Sequence, residues 1–196
     1  MAFASMKTEG IVLYSAPFKE ADKVYRMLTK DYGKVSVRGR GALKPKAKLA
    51  SHLESPGVVA VEYVRGKYST TVIATDFRKP FTRLQQDVER RLAAQSILTL
   101  VDRYTDEEEH DDDLYALVRA AVKYLDDEDN LTPAQILTHV SAFLVKFLAH
   151  SGYQLEFDRC LNCKSDIHPM AFRWHGGKGG LVCTSCASQH REEWFA

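Results

Sequence analysis

The cysteines are the residues of this chain whose spacing is most specific for chemistry. All four fall in two Cys-x-x-Cys pairs, Cys160 with Cys163 (CLNC) and Cys183 with Cys186 (CTSC), and nineteen residues separate the pairs. Two thiolates separated by two residues can face one ion, and two such pairs fill the four-ligand shell of zinc. We therefore predict one structural Zn²⁺ per chain, because a shell of four cysteines leaves no open position for a substrate or water.

Other states of these cysteines are reduced thiols without metal, a redox pair, or disulfides. Disulfides are the weakest alternative, because the N-terminus (MAFASMKTEG) lacks the basic segment and long apolar core of a secretory signal. His168, His175 or His190 is a possible substitute for one thiolate, although four cysteines already complete the site. The glycine-rich segment 176–180 (GGKGG) lacks P-loop spacing and is typical of a hairpin tip.

A basic segment is the second candidate for a functional site. Residues 1–80 carry 15 Lys and Arg against 7 Asp and Glu, whereas residues 81–150 carry 7 against 14. This asymmetry favours a polyanionic partner for the first part, the alternative being attraction between the two parts within the fold. The candidate residues for contacts with such a polyanion are Lys34, Arg38, Arg40, Lys44, Lys46 and Lys48. Gly39 and Gly41 would let the backbone approach a phosphate, and the alternative is a solvated basic loop.

Catalytic patterns are missing from the sequence. It contains no His-Glu-x-x-His, no Gly-x-Ser-x-Gly, no Walker motif and no zinc-deaminase signature. We therefore favour a binding protein over an enzyme. A hydrolase or nuclease that uses the acidic runs is an alternative from another functional class.

The first 80 residues must position the basic segment, and they are predicted to form strands. The predicted strands are 10–15 (GIVLYS), 24–29 (VYRMLT), 34–38 (KVSVR), 58–64 (VVAVEYV) and 68–75 (YSTTVIAT). Five short strands at hairpin spacing favour a small barrel over an open sheet, with a long basic loop over 39–56. One face of such a barrel, with its loops, commonly binds single-stranded nucleic acid.

Helical periodicity replaces the strand pattern after Pro80. Apolar residues recur at helical spacing over 84–104 and again over 114–125. The acidic run 106–113 (DEEEHDDD) lies between them, and we predict that part of it starts the second helix while the rest is a solvated loop.

A third helix has clear end signals. Thr132 is a predicted N-cap, Pro133 fits the first helical position, Gln135 completes a capping box, and Gly152 is a C-terminal stop. This helix is apolar on most of its circumference, which predicts a buried helix at the centre of the helical part.

The composition is that of an ordinary globular protein. The chain has 196 residues, of which 45% are hydrophobic and 27% charged, which predicts one or two domains. Its longest stretch without a charged residue, 130–145, is too short and too polar for a membrane span. We therefore expect a soluble intracellular protein.

The order of a small barrel, a helical middle and two Cys-x-x-Cys pairs resembles the RecO family of bacterial DNA repair and recombination mediators. The resemblance is carried by 147–163 (FLAHSGYQLEFDRCLNC), 8–12 (TEGIV) and 33–41 (GKVSVRGRG). It covers essentially the whole chain, and it is most specific over 152–163. Members of this family usually continue beyond the second cysteine pair, whereas this sequence stops at Ala196. We also read Met6 as a candidate natural start.

The resemblance implies an α+β multidomain protein, with an OB-fold domain over 1–80 and a helical domain over 81–196 that carries a zinc finger at 160–186. It implies a non-enzymatic protein of the RecFOR pathway that binds single- and double-stranded DNA, anneals complementary strands, and acts with RecR and single-stranded DNA-binding protein in loading RecA. It places the protein in the bacterial cytoplasm, at the nucleoid. The four cysteines match the family's metal positions, and the segment 34–48 matches its DNA-binding part only as a region. The main rival is a zinc-containing OB-fold protein that binds RNA.

Overall fold

A computed structural model of the chain describes residues 5–44, 47–54, 56–168 and 171–189. The contacts divide the chain into two compact units, Met1–Phe143 and Leu144–Ala196. Among the described residues, no helix combines the length and the apolar character that crossing a membrane requires. The predicted domain limits, 1–80 and 81–196, stay predictions.

The described elements begin with five strands that one short helix interrupts, and helices follow. The first unit contains β1 (Ser5–Phe18), β2 (Asp22–Thr29), β3 (Gly33–Gly39), α1 (Lys48–Glu54), β4 (Gly57–Arg65), β5 (Thr70–Pro80), α2 (Thr82–Gln86), α3 (Val88–Tyr104) and α4 (Asp112–Asp127). Helix α5 (Pro133–His150) runs from the first unit into the second, which also contains β6 (Phe172–His175), β7 (Gly180–Cys183) and α6 (Thr184–Gln189).

The first five strands close into a barrel in the order β1-β2-β3-β5-β4. All neighbouring pairs are antiparallel except β3 with β5, which pair in parallel at Arg38 and Thr71. This is the strand order of an OB-fold, and it confirms the predicted fold class. The predicted strands are all present, and the largest differences in their bounds are that β1 spans Ser5–Phe18 and β5 spans Thr70–Pro80.

Alternate residues of the strands fill the barrel interior. The buried cluster comprises Tyr25, Met27, Val35, Val37, Leu53, Val59, Val61, Tyr63 and Val72. The period of two follows from the pleat, which sends successive side chains to opposite faces. Leu53 belongs to α1, which lies inside the stretch 39–56 that we predicted to be a loop. This helix has only seven residues, too few for a clear helical period.

Asp side chains begin two of the helices in the middle of the chain. The predicted helix over 84–104 is two helices, α2 and α3, because the chain is extended at Asp87. The carboxylate of Asp87 accepts hydrogen bonds from the backbone N–H groups of Glu89 and Arg90. The carboxylate of Asp111 caps α4 in the same way through Leu114 N–H. The prediction that part of the acidic run starts a helix is therefore confirmed.

Both ends of α5 form as predicted. Thr132 N–H donates to the Gln135 side chain and Gln135 N–H donates to Thr132 Oγ1, which is a capping box. At the other end, Gly152 has a φ of 85°, and Tyr153 N–H donates to Leu148 C=O.

The predicted burial of α5 on all sides is wrong for the described residues. Ile136, Phe143 and Phe147 are buried, but Leu137 is 68% exposed and Leu144 is also exposed. The apolar residues cover most of the helix, whereas the described neighbours cover only the stripe at helical spacing.

Candidate metal centre and nucleic-acid interface

The second unit brings the four cysteines together. The Sγ atoms of Cys160, Cys163, Cys183 and Cys186 all lie within 4.8 Å of one another, and those of Cys163 and Cys183 are 3.8 Å apart. Sulfur ligands placed about 2.3 Å from a tetrahedral zinc ion stand about 3.8 Å from each other. The donor set, four sulfurs with no oxygen among the described members, fits a soft tetrahedral ion.

Local backbone geometry positions each pair. Cys160 and Cys163 lie on a tight turn in which Lys164 N–H donates to Cys160 C=O over 2.9 Å, with Lys164 at a φ of 61°. Leu161 N–H donates to Leu181 C=O over 2.9 Å and ties this turn to β7. Cys183 ends β7 and Cys186 lies on α6, so one strand-to-helix junction supplies the second pair.

The surroundings of the cluster shift the pKa values of its thiols in opposite directions. Burial raises the pKa of Cys160, but N–H donors of Cys163, Cys183 and Asn162 outweigh burial and lower this pKa to about 6. A hydrogen bond to Asn162 lowers the pKa of Cys186, yet the neighbouring sulfurs and burial outweigh it and raise this pKa to about 11. Four thiolates so close together repel one another, and a divalent cation would remove that repulsion.

The described histidines near the cysteines lie outside the sulfur cluster. His175 is buried and its Nδ1 accepts a hydrogen bond from Lys178 N–H over 3.3 Å, which caps a 3₁₀ turn. His168 is exposed, and neither residue belongs to the sulfur cluster. His190 lies outside the described residues. The segment 176–180 connects β6 to β7, as the hairpin prediction required.

Lys34, a predicted DNA contact, has a buried side chain whose ammonium is already bonded within the protein. Its side chain lies on the outer face of β3, but the residue is only 7% exposed. The ammonium donates to the backbone carbonyl of Asp102 over 2.8 Å and to that of Thr105. These carbonyls end α3, where the helix dipole favours a cation. Lys34 is therefore held inside the first unit rather than presented to a ligand.

Arg38 forms contacts within the protein to Asp22 and Phe18. Its Nε donates to Asp22 Oδ2 over 2.6 Å, and its guanidinium lies 5.2 Å from the centre of the Phe18 ring. The carboxylate of Asp22 also accepts Gly41 N–H over 2.7 Å, and this bond, followed by the bond from Arg38, lowers the pKa of Asp22. Arg38 therefore fixes the start of the basic loop.

Among the described side chains of the basic segment, the exposed cations are Arg40 and Lys44. Leu43 N–H donates to Ala21 C=O over 3.0 Å, which holds this loop beside the β1–β2 connection. Lys46 lies outside the described residues. Lys48 begins α1, and the position of its side chain is not described.

Sequence reasoning missed a further group of exposed residues on the barrel connections. Lys19 follows the exposed ring of Phe18 in the β1–β2 connection, and Lys67 precedes Tyr68, which is 89% exposed, in the β4–β5 connection. Each ammonium lies over its neighbouring ring, 5.6 Å and 5.3 Å from the ring centres. A lysine beside an aromatic residue at a hairpin turn was the available signal.

Models of known protein families match both the N-terminal and the C-terminal part of the chain. A family model described as "Recombination protein O N terminal" matches residues 1–81, and one described as "Recombination protein O C terminal" matches residues 85–195. The chain belongs to the RecO family. This membership confirms the resemblance noted in the sequence, and RecO proteins are DNA repair proteins.

Curated relatives show how much of the RecO family the chain spans. It is 31% identical to "DNA repair protein RecO" of Frankia casuarinae over 92% of this chain and 72% of that protein. It is 29% identical to the protein of that name from Listeria monocytogenes, over 94% of this chain and 70% of that protein. It is 26% identical to the protein of that name from Alkaliphilus metalliredigens, over 92% of this chain and 72% of that protein.

Proposed function

We propose that this RecO-family chain is a non-enzymatic mediator of DNA repair and homologous recombination. In this proposal it binds single- and double-stranded DNA and anneals complementary strands. With RecR, it helps to load RecA onto strands coated by single-stranded DNA-binding protein, in the bacterial cytoplasm at the nucleoid. Residues 1–80 act as the DNA-binding domain and residues 81–196 as the helical domain.

The observation that carries this proposal is the OB-fold barrel with exposed cations and aromatic rings on its connections. The connections β1–β2 and β3–α1 are tied together by the bond from Leu43 to Ala21 and present Lys19, Arg40 and Lys44. We call residues 18–21 with 40–44 the basic loop surface. Proteins that bind single strands combine cations that follow the phosphates with aromatic rings on which bases stack. Phe18 and, on the β4–β5 connection, Tyr68 supply such rings.

The four cysteines are proposed to hold one structural Zn²⁺ in a zinc finger over 160–186. When bound, the ion neutralises the thiolates and joins the Cys160 turn to the β7–α6 junction, which contributes to the folding of the second unit. Four protein sulfurs complete the shell, so this site is not proposed to activate water or substrate.

A binding competition tests the DNA assignment. Purified protein is incubated with a labelled single-stranded DNA and increasing amounts of unlabelled DNA or RNA of the same sequence, at a fixed salt concentration. We expect DNA to compete at least as well as RNA. A clear preference for RNA would overturn the DNA proposal in favour of an RNA-binding factor.

An annealing assay tests the mediator role. Complementary strands are mixed with the protein, bare or coated with single-stranded DNA-binding protein. We expect faster annealing in both cases. If the protein binds DNA without accelerating annealing, the proposed mediator role is wrong and only the DNA-binding role remains. Incubation of labelled DNA with Mg²⁺ in the same buffer tests for cleavage, and the appearance of fragments would contradict the non-enzymatic assignment.

A further inference from the structure

The acidic run does not lie in solvent along its whole length. Residues 106–109 (DEEE), which we call the acidic segment, follow α3 and lie along the barrel. Glu107 forms a parallel bridge with Lys34, and Glu108 N–H donates to Lys34 C=O over 2.8 Å. The described pairing of β3 with β5 is limited to Arg38 and Thr71. The acidic segment therefore takes the edge that the first half of β3 leaves open.

Its carboxylates contact two barrel residues, one through a hydrogen bond and the other through an ion pair. Ser36 Oγ donates to Glu107 Oε1 over 2.5 Å, and Arg65 Nη2 lies 3.1 Å from Glu108 Oε1. A hydroxyl and a guanidinium are also the groups that proteins present to the phosphates of nucleic acids. Each carboxylate thus engages a donor that would suit a phosphate oxygen.

The position of these donors matches the ligand face of an OB-fold. Ser36 points outward, because its neighbours Val35 and Val37 fill the barrel core. Arg65 ends β4 and leads into the β4–β5 connection. OB-folds bind oligonucleotides over strands 2 and 3, between the β1–β2 and β4–β5 connections. The acidic segment consequently stands where a bound strand would pass.

We propose that the acidic segment is an internal mimic of a nucleic-acid backbone, which occupies Ser36 and Arg65 in the free protein and which a single strand displaces on binding. This inference rests on the proposed DNA-binding function and adds its regulation. A ligand with several linked phosphates can replace both carboxylates, whereas one isolated phosphate can replace only one. The acidic segment would therefore discriminate against short anions.

The contacts of the acidic segment are weak enough for such an exchange. The side chains of Arg65 and Glu108 are 42% and 61% exposed, and exposed ion pairs contribute little to stability. Glu108 also has a φ of 64°, a conformation that is costly for a residue with a side chain. Displacement relieves this strain, and it gives up the backbone hydrogen bond from Glu108 to Lys34 together with solvent-screened side-chain contacts.

The test compares two double variants that remove the same charge. Glu107→Gln with Glu108→Gln removes the mimic, and Glu89→Gln with Glu128→Gln removes two exposed carboxylates at the start of α3 and the end of α4. Binding of a labelled oligothymidylate of about 20 nucleotides, longer than one OB-fold site, is measured over a range of salt concentrations. The circular dichroism melting curves of the variants check that they fold.

The mimic variant is expected to bind about tenfold more tightly at low salt, and the control variant at most about twofold more tightly. The slope of log affinity against log salt should steepen by about 0.7 in the mimic variant, because Arg65 gains an uncompensated phosphate contact. Adding Arg65→Ala should remove most of the gain. Equal affinities of the mimic and control variants would overturn the inference and leave DNA binding intact, whereas no binding by any chain would overturn both.

Amide hydrogen exchange of the unchanged protein gives a second measurement that needs no variant. The Glu108 amide, which is bonded to Lys34, should exchange several-fold faster when the oligothymidylate is bound. Unchanged or slower exchange at Glu108 in saturated protein would show that the strand binds without displacing the acidic segment, and would overturn the inference.

Discussion

The side chains of the cysteine cluster and those of the barrel surface are positioned by different kinds of contact. In the cysteine cluster, a fixed spacing of two residues places each pair of sulfurs on one turn or one strand–helix junction. On the barrel, six cations within one segment have different fates, since Lys34 is buried, Arg38 is paired and Arg40 is exposed. Short-range spacing therefore places the four sulfurs of the candidate metal site, whereas the availability of a charge depends on its distant neighbours.

The largest effect is expected when one sulfur is removed from the cysteine cluster. Cys160→Ser or Cys183→Ser should abolish metal binding and unfold the second unit, because structural zinc supplies about 10–16 kcal/mol of apparent free energy in zinc-finger peptides. Metal analysis and thiol titration of fresh protein provide the measurement. Ser188→Ala, on the exposed face of α6, is the matched control. Less than about half an equivalent of zinc, with all four thiols freely titratable, would contradict the site.

A smaller effect is expected for Lys34. Lys34→Met keeps most of the side-chain volume but leaves the carbonyls of Asp102 and Thr105 without their donor. We expect a loss of about 1–3 kcal/mol in the free energy of unfolding, measured by urea denaturation. DNA affinity measured well below the melting temperature should stay within about twofold of the unchanged protein, since the ammonium does not face the ligand. A large loss of affinity with unchanged stability would restore Lys34 to the DNA-binding set.

The basic loop surface should give an effect on binding alone. Arg40→Ala with Lys44→Ala is expected to lower affinity for single-stranded DNA and to flatten the salt slope by about 1.4, because each phosphate contact on a single strand contributes about 0.7. The loss should be similar for different sequences, since phosphate contacts position a strand without reading bases. Arg119→Ala with Lys123→Ala on α4 removes equal charge as a control. An unchanged salt slope in the Arg40→Ala with Lys44→Ala variant would show that the loop is ordinary solvated surface.

The smallest effect concerns acid stability at Asp22. Its pKa is lowered in the folded protein by hydrogen bonds from Gly41 N–H and Arg38, so its charge stabilises the fold above the unfolded pKa of about 3.9. This contribution is lost as the pH falls through the lowered pKa. Asp22→Asn should therefore be less stable than the unchanged protein at pH 6, and the difference should shrink below about pH 4. Thermal melts across that range measure it, and a constant difference would contradict the role of the charge.

The features that depend on neighbours close along the chain could be predicted from the amino-acid sequence. The cysteine pairs, the strand periodicity, the capping box at Thr132 and the glycine stop at Gly152 all rest on spacings of a few residues, and the structure has them where the sequence indicated. Local geometry limits these features strongly, because a turn or a helix end admits few residue types.

Which charges are available to a ligand depends on contacts between residues that are far apart in the chain. Lys34 and the acidic segment are about 70 residues apart in the chain, and nothing in their local patterns shows that the end of α3 brings them together. The exposed side of α5 is a similar case. Its apolar sequence fits burial on every side, but burial depends on which elements pack against the helix. Coulomb and hydrogen-bond energies depend on distances in space, and the folded chain alone sets those distances.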